Sequence, residues 1–444
     1  MLATRATNSA WTDGCRTHVV PMHCSAAIRA LRRFTAGSTR PAHGHADERI
    51  TKLDAWSTEQ RYLNSYDLEV ESSSQTWAPG EVTVDFGAGL VRVPRGLQVL
   101  SFRGPNMAIP AEGAVNWSQL DRLPNVITVE WSGSDRGVVA AAAARRVRYL
   151  YWSEADGEVD LSGTAVTHVR LGGVGLRRIL LPASIQRLQL NDPPLPELRV
   201  EAPDDGRGLQ LQLFWRTANR EQIRIPAGLS RITSLWLWPD REVTLSVVAG
   251  LADLQSLTIT FENAPGTLTD LPTLRLLPAL RSLQFNSAYD WDPDALPDLP
   301  ALQEIVLHGV RRSTAAAMKN RLKGRGVKVT TRATKTDTWL AAHMFNPFRD
   351  WIEDSKPFGT AACKAYAKAR TAVDAAAAAG SERSQALESA LRGLVADLNA
   401  IDARYELIDT INRDHAAEVY LALARHADVD TAMAARWLDE DREW

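Results

Sequence analysis

The chain has 444 residues, of which 45% are hydrophobic and 23% are charged, and its formal net charge is −2. This composition is that of an ordinary folded protein, so it excludes wholesale disorder and collagen-like or mucin-like repeats. The balanced charge gives no reason to expect a nucleic-acid partner or an anionic membrane. The three cysteines form no CxxC pair, and the longest apolar run is far shorter than the roughly 20 residues of a membrane helix. We therefore expect a soluble protein of a reducing, cytoplasmic compartment.

Residues 1–49 differ in composition from the rest of the chain. Up to Ala46 they hold six Arg and one Asp among scattered Ser, Thr, His and Pro. We interpret this stretch as a disordered Arg-rich leader, with an upstream extension of the reading frame or an organelle transit peptide as alternatives. Its Cys15, His18, His23 and Cys24 are metal-ligand types, but they lie closer together than the two ligand pairs of a zinc site. We therefore expect no metal site there.

Residues 50–96 are predicted to form an N-terminal capping region. Two segments, 68–70 and 82–86, alternate with period two on either side of the turn Pro79-Gly80. Such alternation is typical of the two strands of a hairpin. The hairpin is expected to cover the first apolar layer of the elements that follow.

A recurring pattern, apolar-x-x-apolar-x-apolar, organises residues 97–330 at spacings of 19–29 residues. Each copy predicts a short strand whose fourth and sixth positions face a core and whose third, fifth and seventh positions face away from it. After the last copy, Ser313 is predicted to cap a helix to about Lys323, followed by a final strand at Val327–Val329. The ten copies begin at Leu97, Val126, Val147, Val166, Ile185, Gly208, Ile232, Leu254, Leu280 and Leu302.

The repeat resembles the leucine-rich repeat family, most plainly in LPTLRLLPALRSLQF (271–285), LPDLPALQEIVL (296–307) and LLPASIQRLQL (180–190). This resemblance implies an α/β fold, a leucine-rich-repeat solenoid in which each copy gives one parallel strand on a concave face and returns along the convex side. The Asn that the family carries three residues after the last apolar position is missing throughout. Several copies also hold a second strand-like piece that ends in Pro, such as 91–94 and 179–182, which we expect at an unpaired convex edge.

Residues 336–444 are predicted to form a C-terminal all-α helical bundle, because β-branched alternation disappears from Asp337 onward. Four or five helices are expected, and the pair Gly380-Ser381 is predicted to stop one and cap the next. The clearest apolar stripes are Leu387, Leu391, Leu394, Leu398 and Ile401, then Val419, Tyr420 and Leu423, then Met433, Trp437 and Leu438.

The tail adds a second resemblance, carried by NPFRDW (346–351), IDARYELIDTINRD (401–414) and WLDEDREW (437–444). Behind such an array, these pieces look like the tails of leucine-rich-repeat proteins of high-GC actinobacteria, some of which carry the label "gliding motility protein". The label implies a role near a polarity or motility GTPase system. No motif of this sequence shows such a role.

Cys363 is the one candidate nucleophile of the tail. In the helical ubiquitin-ligase domains that some bacterial effectors attach to leucine-rich repeats, acidic residues follow the catalytic Cys, whereas Lys364 and Ala365 follow it here. The sequence contains no GxxxxGK[ST], GxSxG or HExxH pattern. We expect a small apolar role for Cys363, a solvated acidic terminus at 439–443, and no catalytic residue, cofactor or metal. A modifying enzyme with its chemistry in the tail is the alternative.

The concave face is where we expect function, because two aromatic clusters there flank a strip of His, Arg and Gln. Exposed Trp and Tyr beside Arg dominate binding energy at interfaces. We therefore predict a non-enzymatic interaction scaffold for a protein or peptide partner, and leave the oligomeric state open. In the alternative, a helix, the leader or a loop covers these aromatic side chains. The predicted partner-binding residues are Tyr149, Tyr151, His168, Arg170, Arg187, Gln189, Gln212, Phe214, Trp236 and Trp238.

Overall fold

The computed structural model describes residues 80–102, 109–110, 112–193, 195–214, 223–376 and 382–444. The predicted leader at 1–49 with its Cys and His cluster, the predicted strand at 68–70 and the predicted cap at 380–381 lie outside the described residues. Within them, the protein is a mixed α/β structure in which a large parallel sheet precedes a C-terminal helical region.

The strands of the described residues are β1 (Glu81–Val84), β2 (Val91–Pro94), β3 (Val99–Ser101), β4 (Thr128–Ser132), β5 (Tyr149–Ser153), β6 (Asp156–Asp160), β7 (His168–Leu171), β8 (Gly175–Leu180), β9 (Arg187–Leu190), β10 (Arg199–Glu201), β11 (Gln210–Phe214), β12 (Ser234–Trp238), β13 (Glu242–Thr244), β14 (Ser256–Thr260), β15 (Thr267–Thr269), β16 (Ser282–Asn286), β17 (Glu304–His308) and β18 (Lys328–Arg332). The α-helices are α1 (Val138–Ala144), α2 (Arg312–Arg321), α3 (Asp337–His343), α4 (Trp351–Asp354), α5 (Lys356–Ala376), α6 (Arg383–Tyr405), α7 (Thr410–His426) and α8 (Thr431–Asp441).

Eleven strands form the main sheet, in the order β3-β4-β5-β7-β9-β11-β12-β14-β16-β17-β18. Neighbouring strands are parallel, and their order in space is their order in the chain. The predicted parallel sheet is confirmed, and its first ten strands lie at the ten repeat positions. The eleventh, β18, is the predicted final strand, extended to Arg332.

The core explains why these residues form strands at these positions. The fourth and sixth positions of every copy are buried, apart from Phe102, which is half-buried. Successive strand residues point to opposite faces, so an apolar pair two residues apart places both side chains on the same side of the sheet. Each fully buried Leu or Ile contributes about 1.5–3 kcal/mol relative to an exposed side chain.

A smaller parallel sheet, in the order β10-β8-β6, contains the predicted Pro-terminated piece. Ile179 lies in β8, which pairs with β10 on one side and with β6 on the other. The expectation of an unpaired convex edge is therefore wrong. Pro182 avoids a conflict with the ladder because it follows the last paired residue, Leu180, by two positions.

Gly173 shows how closely successive turns stack, since it lies in the turn between β7 and β8 and contacts Ala155 in the turn between β5 and β6. Its φ is +154°, and a Cβ added to it would lie 1.8 Å from the carbonyl oxygen of Ala155. Because that neighbour is backbone, no side-chain rotation can relieve the overlap, and only glycine fits there.

In the N-terminal hairpin, the strand that pairs with β1 differs from the predicted one. Strand β1 pairs antiparallel with β2, so that Val82 faces Val93 and Val84 faces Val91. The prediction had assigned 91–94 to the convex side and had paired 82–86 with 68–70. Phe86 packs edge-on against Phe102, with ring centroids 5.1 Å apart, so the hairpin meets the first core layer as expected.

Helix α2 begins two residues earlier than predicted. Its N-cap is Arg311, without a side-chain hydrogen bond, and Ser313 lies inside the first turn. The predicted Ser313 cap is therefore wrong. Arg311 is held by its neighbours instead, since its Nε donates to the carbonyl oxygen of Tyr289 at 2.6 Å.

The predicted helical region contains α3 to α8, which are six α-helices in the described residues where four or five are predicted, and α5 to α8 pack around one apolar cluster. The Leu stripe of α6 is buried as predicted, and Asp409 and Asp430 cap α7 and α8 by accepting hydrogen bonds from backbone N–H groups. Met433, however, is exposed, and Ala434 takes the buried position in α8. The stripe of α8 is thus Ala434, Trp437 and Leu438.

The helical region packs on the C-terminal end of the strand region. Leu340 of α3 forms a buried cluster with Ala264 and Tyr289. Around it, Arg311 pairs with Asp337 at 2.7 Å. This small cluster lies between the core of the strand region and the core of the helical region and is separate from both.

Candidate functional site

The ten predicted binding residues lie on one face of five consecutive strands, β5, β7, β9, β11 and β12. We call the face of the main sheet opposite to the core the outer face. Four strand steps of about 4.8 Å separate β5 from β12, a span of about 19 Å. The register forms three rows: Tyr149, His168 and Arg187; Tyr151, Arg170, Gln189, Gln212 and Trp236; and Phe214 and Trp238.

Three of these side chains form one group, the aromatic stack of Phe214, Trp236 and Trp238. The Phe214 and Trp238 rings stack with centroids 4.0 Å apart, and the Trp236 and Trp238 rings stack at 3.8 Å. Trp236 Nε1 also donates to Thr260 Oγ1 at 3.1 Å. The two Trp side chains are half-buried, so the stack is both packed and accessible.

A second group lies at the β5 and β7 end of the site. The guanidinium of Arg170 lies 4.7 Å from the centroid of the Tyr151 ring, a cation–π geometry. The Tyr149 and His168 rings have centroids 4.9 Å apart. His168 Nδ1 is also 2.9 Å from Thr167 Oγ1.

Polar side chains that are hydrogen-bonded to one another lie on the strands between the two groups. Arg187 Nε donates to Gln210 Oε1 at 2.7 Å, and Gln189 Nε2 donates to Asn191 Oδ1 at 2.7 Å. The sequence did not single out Gln210, Asn191 or Thr260 as site residues. Their positions in the repeat are the signal for them, because Gln210 pairs in register with Arg187, and Asn191 and Thr260 directly follow Leu190 and Ile259, the last residues of β9 and β14 that pair with β11 and β12.

Burial corrects part of the expected surface. The prediction treated all ten side chains as exposed, but five of them are buried: Tyr151, Arg187, Gln189, Gln212 and Phe214. Rows of long side chains separated by one strand step cover each other, as Arg170 covers Tyr151 and Trp238 covers Phe214. The other five are half-buried. That the ten residues bind a partner stays a prediction.

The charge of the outer face is positive over its central strands. From β5 to β16, its third, fifth and seventh positions carry no Asp or Glu, while Arg170 and Arg187 contribute two permanent cations. Burial, with a smaller contribution from the Arg187 charge, lowers the pKa of His168 to about 4. His168 is therefore neutral at pH 7 and adds no charge.

Cys363 lies in the core of the helical region, as expected. Burial raises the pKa of its thiol to about 12, with a smaller contribution from the Asp350 charge. A thiol with that pKa is protonated at neutral pH, and the thiolate is the reactive species. In the described part of the chain, no group of three or more His, Cys, Asp or Glu side chains is placed to hold a metal ion.

The acidic C-terminus is paired rather than simply solvated, which corrects the prediction. Arg392 of α6 donates to Asp441 Oδ1 and Glu440 Oε2, each at 2.7 Å, and to Glu388 Oε1 at 2.8 Å. Hydrogen bonds to these three carboxylates raise the pKa of Arg392. The pairs with Glu440 and Asp441 join the middle of α6 to the C-terminal end of α8.

The sequence matches no protein-family model and no curated protein. Among the helices of the described ranges, none combines the length and apolar character needed to cross a membrane.

Proposed function

We propose that this chain is a leucine-rich-repeat solenoid that acts as a non-enzymatic cytoplasmic scaffold and binds a protein or peptide on its outer face. Repeat spacings of 19–29 residues and a parallel sheet whose strands follow chain order support the solenoid. The resemblance of the tail to actinobacterial leucine-rich-repeat proteins favours a partner from a motility, polarity or signalling system.

The arrangement that carries the proposal is the aromatic stack next to two arginines on a surface without carboxylates. Half-buried Trp side chains supply apolar contact area at small entropic cost, and they are among the side chains that dominate binding energy. Arg170, which is half-buried, offers a planar group that matches a carboxylate, and the buried Arg187 adds a second positive charge on the neighbouring strand. The partner that fits is an acidic segment with apolar or aromatic anchors.

The alternative is a modifying enzyme with its chemistry in the helical region. Its candidate nucleophile, Cys363, is buried with a raised pKa and lies among apolar side chains of the helical core. An activated thiol requires the opposite environment, partly exposed and electropositive. The structure therefore favours the scaffold over this alternative.

Selection of peptides from a displayed random library tests the proposed function. We expect the full chain to enrich sequences that combine Asp or Glu with Trp, Tyr, Phe or Leu. Trp236→Ala should weaken the best peptide at least about tenfold, as hot-spot residues do. Phe345→Ala is the control, because Phe345 is 74% exposed and lies in the loop after α3, away from the outer face.

Two results would contradict the proposal. Enrichment of peptides without acidic residues would show that the arginines do not select the partner. Equal binding losses in the Trp236 and Phe345 variants, measured by titration calorimetry, would show that the outer face is not the binding surface.

A further inference from the structure

One segment of this chain has the chemistry that the outer face selects. Residues 62–77 read YLNSYDLEVESSSQTW and hold three acidic residues, no basic residue and three aromatic residues. Asp67, Glu69 and Glu71 alternate with Leu68 and Val70. In an extended chain this alternation places three carboxylates on one side and the two apolar side chains on the other.

We propose that residues 62–77 bind the outer face of the same chain and occupy the surface that a partner must use. The inference rests on the proposed function, because it assigns the segment to the same site. Its acidic side meets Arg170 and Arg187. These two positive side chains are the only charged ones at the outward positions of the main-sheet strands from β5 to β16. A carboxylate and a guanidinium that lose water together form charge-assisted hydrogen bonds, which are stronger than hydrogen bonds between neutral groups.

The place where the segment joins the described fold permits this contact. Residue 77 lies three positions before Gly80, the first residue that the structure describes, and β1 starts at Glu81. Sixteen extended residues reach about 50 Å, whereas the six strand steps from β3 to β12 span about 29 Å. The segment is therefore long enough to reach from the N-terminal end of the sheet to the aromatic stack.

The hairpin observed in the structure supports this assignment. The sequence pattern predicts 68–70 as the strand that pairs with 82–86. In the structure, β2 pairs with β1 along its whole length, from Glu81 to Val84. The alternating segment is therefore not required to complete the hairpin. Tethering to the fold gives it an effective concentration in the millimolar range, so even a weak contact fills the site.

Proteolysis of the full chain by a glutamyl endopeptidase tests the inference, with cleavage after Glu69 and Glu71 followed by mass spectrometry. If the segment is bound, cleavage depends on the fraction of open molecules. Arg170→Gln should then raise the initial cleavage rate at least about tenfold. Arg199→Gln is the matched control, since the Arg199 side chain lies on β10 and is 69% exposed; its rate should equal that of the unchanged protein.

A second variant leaves the sheet intact, in case Arg170→Gln lowers stability. Asp67→Asn combined with Glu71→Gln removes two charges from the segment and keeps Glu69 as the cleavage site. The same increase after Glu69 is expected. Equal rates in the unchanged protein and in this variant would overturn the inference, whatever the Arg170 variant does.

The outcome separates the inference from the proposed function. If cleavage is unchanged while selected peptides still bind and compete at Trp236, the outer face is a partner site and residues 62–77 do not occupy it. If cleavage responds to the charges, the double variant Asp67→Asn, Glu71→Gln should also bind the selected peptide at least about threefold more tightly, because a competing tethered segment has been weakened.

Discussion

Replacing Trp238 by Ala removes the ring that Phe214 and Trp236 share. Each stacked aromatic pair contributes about 0.5–1.5 kcal/mol beyond its buried area, and Trp238 takes part in two such pairs. The loss of stacking alone should therefore lower the free energy of unfolding by about 1–3 kcal/mol. The stack therefore contributes to folding as well as to the accessible surface.

Trp236→Ala should have a similar cost for a different reason. It removes one stacked pair and one hydrogen bond, from Nε1 to Thr260 Oγ1, and a typical hydrogen bond contributes about 0.5–1.5 kcal/mol. The pair between Trp236 and Trp238 is lost in both single variants. The double variant should then cost about 0.5–1.5 kcal/mol less than the sum of the two single costs.

Urea unfolding of the unchanged protein, the two single variants and the double variant, followed by far-ultraviolet circular dichroism, measures the coupling between Trp236 and Trp238. The same double variant should bind a selected peptide at least about 30-fold more weakly, which corresponds to roughly 2 kcal/mol. Strictly additive unfolding free energies would refute the stacked arrangement. Normal peptide binding by a destabilised double variant would show that the rings are structural and that the partner site lies elsewhere.

Three further predictions concern the surroundings of the site. Gly173→Ala should cost at least about 2 kcal/mol in chemical unfolding, because its Cβ would overlap the Ala155 carbonyl, whereas Gly163→Ala, with no atom within 4 Å of its Cβ, should change stability by less than about 1 kcal/mol. Because the pKa of His168 falls from 6.5 to about 4 on folding, the unfolded chain binds the extra proton between these values, so the protein loses stability as pH falls through this window. His168→Gln should remove that share of the loss, at most about 2 kcal/mol after solvent screening, in unfolding curves at pH 7 and pH 5; an equal loss in both proteins would contradict it. Cys363 should react with iodoacetamide at least about tenfold more slowly in the native than in the urea-unfolded chain, as read from its tryptic peptide, because its thiol is buried.

The repeat positions were predictable because burial imposes a strict pattern on a strand. Leu211 and Leu213 are two residues apart, so both must face the same layer, and a shift by one residue would expose both. The same alternation assigned Gln212 and Phe214 to the outer face correctly. In α6 the spacing of Leu387, Leu391 and Leu394 fixed the buried side in the same way.

Other features depended on contacts that a local pattern does not contain. The alternation of 82–86 predicts a strand but is equally compatible with either neighbour, and the pairing with Val91 is visible only in the fold. Met433 and Ala434 are both compatible with an apolar stripe, and the close approach of α8 to its neighbours favours the smaller side chain at the buried position.

The geometry of the outer face also explains why irregular spacings do not disturb the site. From Tyr151 to Trp236 the chain runs through 85 residues, in repeats of unequal length, yet both side chains stand in one row because each strand pairs in register with the next. The distance between neighbouring row positions is set by the hydrogen-bond ladder, about 4.8 Å, and not by the length of the connection. The position of Arg170 relative to the aromatic stack is therefore fixed by strand order alone. A ligand that contacts both Arg170 and Trp236 must therefore span three strand steps, about 14 Å.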